Sequence, residues 1–441
     1  MDEESRNGGP DSRQFDVSGA KINILSDEYD PTVSLISSNE KWVEDDEVPR
    51  KEVGTSSFWQ ATSNTVALLL GTGMLALPYA VMLGGWSSLA LLAFFAIMFC
   101  YTGCLLGSCM KENPLLTTYQ EIAGSALGLR GRILFTIFFY VEVLANRVGF
   151  LISVGDNLAR IFPGVESHIP AWIHLSPSMT LASLAMLLIS PTALIRDLSN
   201  IAYLSFGGIV TSLVVVGAVA WTGTTVVGFN QPIPFANFGK WRFILGLYSY
   251  CYAGHPVVPN IHSSMREPSK FPVMLMLSFT IATTTYAGIG LMGASMFGKE
   301  TLSQITLNIP RDLMAATIVL WTTVLTPLTK FPLAVAPIAT ELESFLPFDS
   351  HSTAHYVFGN IIRLGILGLI LAVTITFPYF GSTLNFIGSS ITIITCIILP
   401  CVFDLVLHWR TIPKLQLMVD IVFLTAATCF AIVGTFSSGG V

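Results

Sequence analysis

Charged side chains are scarce in this chain of 441 residues. Asp, Glu, Lys and Arg together make up 11% of it, against about a quarter of a typical soluble domain. Hydrophobic residues make up 52%, and apolar runs long enough to cross a bilayer recur from residue 58 to the C-terminus. A soluble core does not need so much apolar sequence. The composition therefore predicts an all-α integral membrane protein embedded in a lipid membrane.

Several motifs that would indicate other functions are missing. The chain has no GxxxxGK[ST] phosphate-binding loop, so we do not expect direct drive by ATP. No CxxC pair or Cys/His cluster accompanies its seven cysteines, which we interpret as packing residues rather than a disulfide framework or a metal site. We therefore expect no cofactor, no metal and no enzymatic activity. A charged leader with a short apolar core is also missing, so the first apolar segment is expected to direct insertion.

Acidic residues are concentrated at the N-terminus. Residues 1–55 carry 14 Asp and Glu against 6 Lys and Arg, which leaves 14 against 16 in the rest of the chain. The segment is rich in Ser and Gly and poor in apolar clusters, so burial cannot offset the entropy of ordering it. We predict a disordered acidic cytosolic tail at 1–55 and a transmembrane domain at 56–441. The acidic tail argues against nucleic acid as a partner.

The transmembrane domain divides into about eleven apolar segments of spanning length. Their approximate bounds are 58–82, 86–109, 132–160, 179–195, 199–227, 242–265, 272–297, 312–340, 357–377, 382–407 and 415–437. With the N-terminus in the cytosol, the cytosolic connections and flanks would carry eleven Lys and Arg and the opposite side five. The positive-inside rule favours this orientation, and an odd number of spans then places the C-terminus on the lumenal face.

Glycine and proline interrupt two of the spans in mid-membrane. The first span contains GTGMLALP, from Gly71 to Pro78, and the sixth contains YAGHPVVP, from Tyr252 to Pro259. Glycine loosens a helix and proline removes a backbone donor. The start of the sixth span is five spans beyond the start of the first, an odd number, so the second unit would cross the membrane in the opposite direction. This predicts an inverted 5+5 repeat, with repeat one at about 56–228, repeat two at about 240–408 and an extra helix at about 415–437.

Backbone groups freed at such breaks cannot face lipid, so each break must face protein or a wet cavity. The N-H groups of a half-helix suit a carboxylate, and unwound carbonyls suit an ammonium group. The predicted substrate contacts are Gly71, Thr72, Gly73, Met74, Tyr250, Ala253, Gly254 and His255. The alternative is that Gly and Pro only kink these helices, and that the tyrosines beside the second break pack as aromatic side chains.

Five stretches of the sequence carry a family resemblance. They are GTGMLALPYAVMLGGW, FYVEV with VGDNL downstream, IRDLSNIAYLS, YAGHPVVPNIHSSMREPSKFP and TPLTKFPLAVAPIATELES. Together they resemble the amino acid/auxin permease family, and within it the plant and fungal vacuolar amino-acid transporters. The resemblance implies a LeuT-like fold of the APC superfamily, with an amino-acid substrate held by helices 1 and 6. It also implies coupling to protons and a vacuolar membrane location.

Three ionisable residues inside the spans are candidates for proton coupling, because charge at membrane depth is expensive unless it has a function or a partner. Glu142 lies in the third span, where Asn146 at i+4 could instead hydrogen-bond it structurally. Lys330 lies in the eighth span, which lines the cation site in LeuT-like folds, and it could instead extend to the cytosolic face. His255 lies in the second break and could instead hydrogen-bond the opened backbone.

Other positions qualify this interpretation. Ala67 stands where sodium-coupled carriers of the resembled family place an asparagine, which argues against sodium. Arg147 is five residues beyond Glu142 and does not face it; vacuolar relatives usually carry a small residue there and an acidic one near Gly149, so substrate preference does not transfer. Asp156 and Asp404, near span ends, are interpreted as half-solvated structural charges.

These observations predict a monomeric secondary transporter that moves amino acids together with protons by alternating access. Two alternatives stay open at this point. One is an amino-acid sensor that keeps the fold and signals through its acidic tail, and the other is a sodium-coupled carrier. A channel fits less well, since a closed site between two broken helices suits slow exchange.

Overall fold

The computed structural model describes residues 54–113, 115–164, 175–194, 207–349 and 352–437. In these residues the chain is helical apart from turns and one isolated β-bridge between Ser56 and Met265. This agrees with the all-α class that the composition predicts. The acidic tail predicted at 1–55 lies almost wholly outside the described residues.

Eleven helical segments follow one another in the described ranges, and two of them are broken. They are α1a (Phe58–Leu69) with α1b (Thr72–Gly84), α2 (Ser88–Glu112), α3 (Tyr119–Ile161), α4 (Pro177–Ala193), α5 (Gly207–Thr222), α6a (Phe238–Cys251) with α6b (Val258–Ser264), α7 (Phe271–Phe297), α8 (Met314–Ser344), α9 (Thr353–Thr376), α10 (Phe380–Leu407) and α11 (Lys414–Ser437). Each falls on one of the apolar segments read from the sequence.

Length and composition identify fewer definite membrane crossings than segments. Among the described residues, eight helices are long and apolar enough to cross a membrane, or nine when the two halves of α1 form one bent span. Helix α4 has 17 residues, and each half of α6 is too short to cross alone. Eleven crossings therefore stay a prediction.

Helix α3 begins earlier than the sequence predicted. It starts at Tyr119 rather than near 132, because Thr118 and Glu121 form a reciprocal capping box at its N-terminus. Gly128 then adopts a φ of 66°, which joins a short first helix to the long second one at a kink. Glycine suits this left-handed conformation since it has no Cβ.

Helices α1 and α6 run antiparallel, and backbone hydrogen bonds join them at both ends. Ser56, just before α1a, donates its N-H to the carbonyl of Ser264 at the end of α6b, over 2.8 Å. At the other face the N-H of Trp86, just after α1b, donates to the carbonyl of Pro234, ahead of α6a, over 3.0 Å. The start of one broken helix thus lies beside the end of the other. This is the relation that an inverted repeat requires.

The backbones of α6a and α10 touch through a pair of glycines. A Cβ built on Gly246 would lie 2.1 Å from the carbonyl oxygen of Asn385, and one on Gly388 would lie 1.9 Å from the carbonyl oxygen of Gly246. Ser249 also donates to the Gly388 carbonyl over 3.0 Å. Small residues allow membrane helices to approach this closely. The contact fixes the first half of α6 against α10.

Candidate substrate site

Helix α1 loses its helical geometry where the sequence predicted a break. Leu70 has φ −70° and ψ 66°, and Gly71 is extended with φ −102° and ψ −161°. Helix α1b then leaves α1a at an angle of 47°. Pro78 lies at the start of the regular part of α1b, where its missing N-H needs no partner.

Helix α6 is interrupted at the second predicted break. Tyr252, Ala253 and Gly254 separate α6a from a short turn at His255–Val257, which leads into α6b. The Gly254 backbone packs on α1a, since a Cβ there would lie 3.0 Å from a methyl group of Leu68. The two breaks are therefore adjacent.

Side-chain hydroxyls from neighbouring helices satisfy the carbonyls that the breaks set free. The Tyr286 hydroxyl, on α7, lies 2.5 Å from the carbonyl oxygen of Leu69 and 2.8 Å from that of Cys251. Ser212, on α5, donates to the carbonyl of Leu70 over 2.5 Å. Tyr286 is completely buried. Its single hydroxyl therefore links the break in α1 to the break in α6.

A cavity of about 60 Å³ opens beside the α1 break, several times the space that one water needs. Its lining comes from α1, α3, α5 and α8 and includes Gly71, Thr72, Met74, Phe150, Ser212, Thr326 and Lys330. The first N-H groups of α1b have no partner within the helix. An open α1 break, hydroxyl groups and one ammonium group thus meet at one cavity.

Three of the eight predicted substrate contacts line this cavity, namely Gly71, Thr72 and Met74. The Tyr250 hydroxyl lies 3.4 Å from the Thr72 hydroxyl, so Tyr250 is one contact away from the cavity. Gly73 instead packs on α6a, because a Cβ there would lie 3.0 Å from the Tyr250 ring.

Ala253, Gly254 and His255 lie outside the cavity lining. His255 is buried, and its Nε2 lies 2.9 Å from the Thr102 hydroxyl and 3.0 Å from the carbonyl oxygen of Phe99, both on α2. Its ring therefore faces α2, and Nε2 contacts one side-chain hydroxyl and one backbone carbonyl of α2 rather than the opened backbone of α6. A role for His255 in proton coupling stays a prediction.

Glu142 is buried on α3 and faces α10. Its carboxylate accepts hydrogen bonds from the hydroxyls of Thr392 at 3.3 Å and Thr395 at 3.0 Å. Asn146, the donor in the alternative structural interpretation, is not among these partners. The two threonines belong to consecutive π-helical turns at Ile387–Thr392 and Ile394–Ile398, a geometry found frequently at functional sites.

Lys330 lines the cavity on its α8 side. It also interacts electrostatically with Arg147 of α3, which in turn interacts with Tyr250. The guanidinium of Arg147 stacks on Phe150, with Cζ 4.2 Å from the ring centroid. Lys330 and Arg147 thus bring two positive charges to this side of the cavity.

The interpretation of Asp404 as half-solvated was wrong. Asp404 is fully buried on α10, and it accepts hydrogen bonds from His408 at 2.9 Å and Gln416 at 2.8 Å. The ligand atoms of Asp404, His408 and Cys109 lie within 4.8 Å of one another, a grouping that the sequence reading did not include. Asp156 is half-buried, as expected, and accepts from Gln304 over 2.8 Å.

Sequence reasoning missed the uncharged residues of the site, Tyr286, Ser212, Phe150 and Thr326. A signal for some of them was present, since a hydroxyl inside an apolar span needs a partner and marks a helix contact. Outside the two breaks the predicted site residues were all ionisable, which left out the hydroxyls on α5, α7 and α8.

Comparison with known proteins extends this description. The family model described as "Transmembrane amino acid transporter protein" matches residues 54–441. The chain is 38% identical over 409 residues to the amino acid transporter AVT1B of Arabidopsis thaliana. This alignment covers 92% of this chain and 74% of the relative. It is 36% identical to the amino acid transporter AVT1H of the same plant, in an alignment that covers 87% of this chain and 89% of the relative.

A sodium-coupled sialic acid symporter in a substrate-bound outward-open state aligns with 88% of this chain and 90% of its own, at a TM-score of 0.47 and 11% identity. The family model spans the whole described region, and the two plant relatives align over most of both chains. This chain therefore belongs to the transmembrane amino acid transporter family.

Proposed function

We propose that the chain is a proton-coupled amino-acid carrier of the vacuolar membrane that works by alternating access, with its N-terminus in the cytosol. The observation that supports this most directly is the cavity beside the α1 break, lined by Gly71, Thr72 and Lys330. Membership of the family supports amino acids as the substrate class. The proton and the vacuole rest on the arguments that follow and on the resemblance already described.

Substrate binding would use the two kinds of backbone group that the breaks expose. The N-H groups at the start of α1b, with the Thr72 hydroxyl, suit the α-carboxylate of an amino acid. The carbonyls of Leu70 and Cys251 each retain an unused lone pair beyond the bonds from Ser212 and Tyr286. They suit the ammonium group, because unwound carbonyls coordinate cations in other broken-helix carriers.

Protons fit the site better than sodium does. The ammonium of Lys330 lines the cavity, and a fixed cation repels a second cation. Glu142 is a buried carboxyl whose two hydroxyl donors lie on α10. A proton that enters or leaves Glu142 would alter its bonds to α10, which links protonation to helix packing.

Uptake into proteoliposomes tests this function. The purified full chain is reconstituted and given a panel of labelled amino acids under a pH gradient of either sign, with choline replacing sodium at fixed pH as the control. We expect accumulation driven by one gradient and unaffected by choline. Loss of uptake in choline would establish the sodium-coupled alternative, and independence from both gradients would remove proton coupling.

The sensor alternative is separated by removing residues 1–50. A carrier should retain uptake without this tail, because the cavity and both breaks lie in the described helices beyond it. A truncated chain that inserts but moves no amino acid, beside an active full chain, would favour a role that depends on the tail. Fractionation of membranes tests the location: the chain is expected with vacuolar markers, and recovery with plasma-membrane markers alone would contradict it.

A further inference from the structure

Arg147 lacks the partners that a buried guanidinium requires. Its Nε and Nη1 atoms are buried and make no hydrogen bond, and among the described residues no carboxylate forms an ion pair with it. Its contact with the ring of Phe150, at 4.2 Å, leaves these N-H groups unused. A buried charge without a partner is strongly destabilising, and unsatisfied buried groups call for an explanation.

The unpaired guanidinium lies next to the substrate cavity. Phe150, on which Arg147 stacks, is part of the cavity lining, and so is Lys330, with which it interacts electrostatically. Tyr250, whose hydroxyl lies 3.4 Å from that of Thr72, is near enough to Arg147 to interact with it electrostatically. Two cations that repel each other are therefore held at one edge of the cavity.

Glu142 lies five residues before Arg147 on α3, and no hydrogen bond or ion pair among the described residues joins it to Arg147 or Lys330. Its oxygens accept hydrogen bonds from Thr392 and Thr395 on α10. Arg147 and Lys330 therefore give this edge a net charge of about +2. A zwitterionic substrate would leave this excess in place.

We infer that the missing partner is a carboxylate on the substrate side chain, so that this carrier selects acidic amino acids, with Arg147 as the specificity-determining residue. The inference rests on the proposed function. One carboxylate would pair with the guanidinium, whose planar donors match it in a bidentate arrangement. The other would bind at the start of α1b near Lys330, and the ammonium group would face the free carbonyls.

Glutamate and glutamine provide a matched test, because they differ in charge and hardly in size. Labelled L-glutamate and L-glutamine are compared in proteoliposomes for the wild type, Arg147→Gln and Arg147→Lys. Arg132→Gln serves as the control, since Arg132 lies exposed on the same helix. We expect the wild type to favour glutamate in kcat/KM by about 10- to 100-fold, as one charge-assisted hydrogen-bonded pair allows.

The variants should change this preference in a defined order. Arg147→Gln is expected to abolish it, and Arg147→Lys to retain a part, because lysine keeps the charge and loses the planar fork. Arg132→Gln should match the wild type. Equal transport of the two amino acids by the wild type, or an equal loss of both in Arg147→Gln, would overturn the inference; the second result would assign Arg147 to the α-carboxylate shared by all substrates.

Thermal unfolding of the detergent-solubilised chain keeps the test decisive when transport fails. Glutamate should raise the melting temperature of the wild type more than glutamine does at the same concentration, and the difference should vanish in Arg147→Gln. Without ligand, Arg147→Gln should melt no lower than the wild type, since it removes an unpaired buried charge. A lower melting temperature in the ligand-free variant would show a structural role and contradict the inference. Uptake of neither amino acid, with selective stabilisation by glutamate, would contradict the proposed function alone.

Discussion

The hydroxyl of Tyr286 provides the most direct test of how the two breaks cooperate. It lies 2.5 Å from the carbonyl oxygen of Leu69 and 2.8 Å from that of Cys251. In Tyr286→Phe the Leu69 carbonyl keeps a donor, because the N-H of Gly71 lies 2.6 Å away. The Cys251 carbonyl has no other donor among the described residues.

The loss therefore amounts to about one interhelical hydrogen bond. Such bonds contribute about 0.6 kcal/mol on average in membrane proteins and up to about 1.7 kcal/mol, while leaving a buried acceptor unsatisfied costs about 1–3 kcal/mol. We take about 1–2 kcal/mol, which changes a conformational equilibrium by about 5- to 30-fold. With the proposed substrate site beside these breaks, apparent affinity should fall by up to the same factor.

The assay is the substrate concentration dependence of uptake in proteoliposomes, using the amino acid that the wild type moves fastest. Tyr286→Phe is expected to raise KM by up to about 30-fold. Tyr252→Phe is the matched control, because Tyr252 is equally buried but bonds the Thr283 hydroxyl, at 2.9 Å, away from the α1 break. An unchanged KM in Tyr286→Phe, or the same increase in Tyr252→Phe, would refute the coupling.

Three further predictions concern packing, the cavity and the proton. Gly246→Ala should lower the melting temperature, because its Cβ would lie 2.1 Å from a backbone oxygen of α10 and overpacking costs about 1–3 kcal/mol. As the control, Gly365→Ala should melt no lower than the wild type, because a Cβ there would have no atom within 4 Å. Equal melting temperatures of the two variants would contradict the close packing of α6a on α10. Gly71→Val should insert normally and lose uptake, since its Cβ would meet only the Leu69 carbonyl, at 3.8 Å, and then extend into the cavity; wild-type uptake would place the substrate elsewhere. Glu142→Gln should retain binding, measured by thermal shift, but lose the acceleration of uptake by a pH gradient, and an intact gradient response would exclude Glu142 as the coupling group.

The two helix breaks and the all-α class could be predicted from the sequence because their causes are local. Gly71 and Pro78 disturb the helix that contains them, and Gly254 acts the same way in α6. Apolar length likewise indicates spans without knowledge of their neighbours. The short first part of α3 escaped prediction because the apolar pattern begins only after Gly128, although the capping box at Thr118 was visible in the sequence.

Contacts between distant helices could not be predicted in the same way. Tyr286 and Leu69 are 217 positions apart, and Ser212 and Leu70 are 142 apart, so only the fold brings them together. The side to which His255 turns is likewise decided by α2. The burial of Asp404 differs from these cases, because its partner His408 is four residues away and visible in the sequence. A hydrogen-bonded pair of this kind allows a carboxylate near the end of a span to be buried.

The joints between α1 and α6 have a consequence for how this protein tolerates sequence change. At one face the N-H of Ser56 donates to the Ser264 carbonyl and the N-H of Arg266 donates to the Ser56 carbonyl, both through the main chain. Side-chain identity contributes nothing to these two bonds, so most substitutions at Ser56 and Ser264 leave them intact; replacing Arg266 would also remove the bond from its Nε to the Thr55 carbonyl, over 2.7 Å. Proline at Ser56 or Arg266 is the exception, because it has no N-H to donate. The side chains of Ser56 and Ser264 can therefore change while the main-chain pairing of the two broken helices persists.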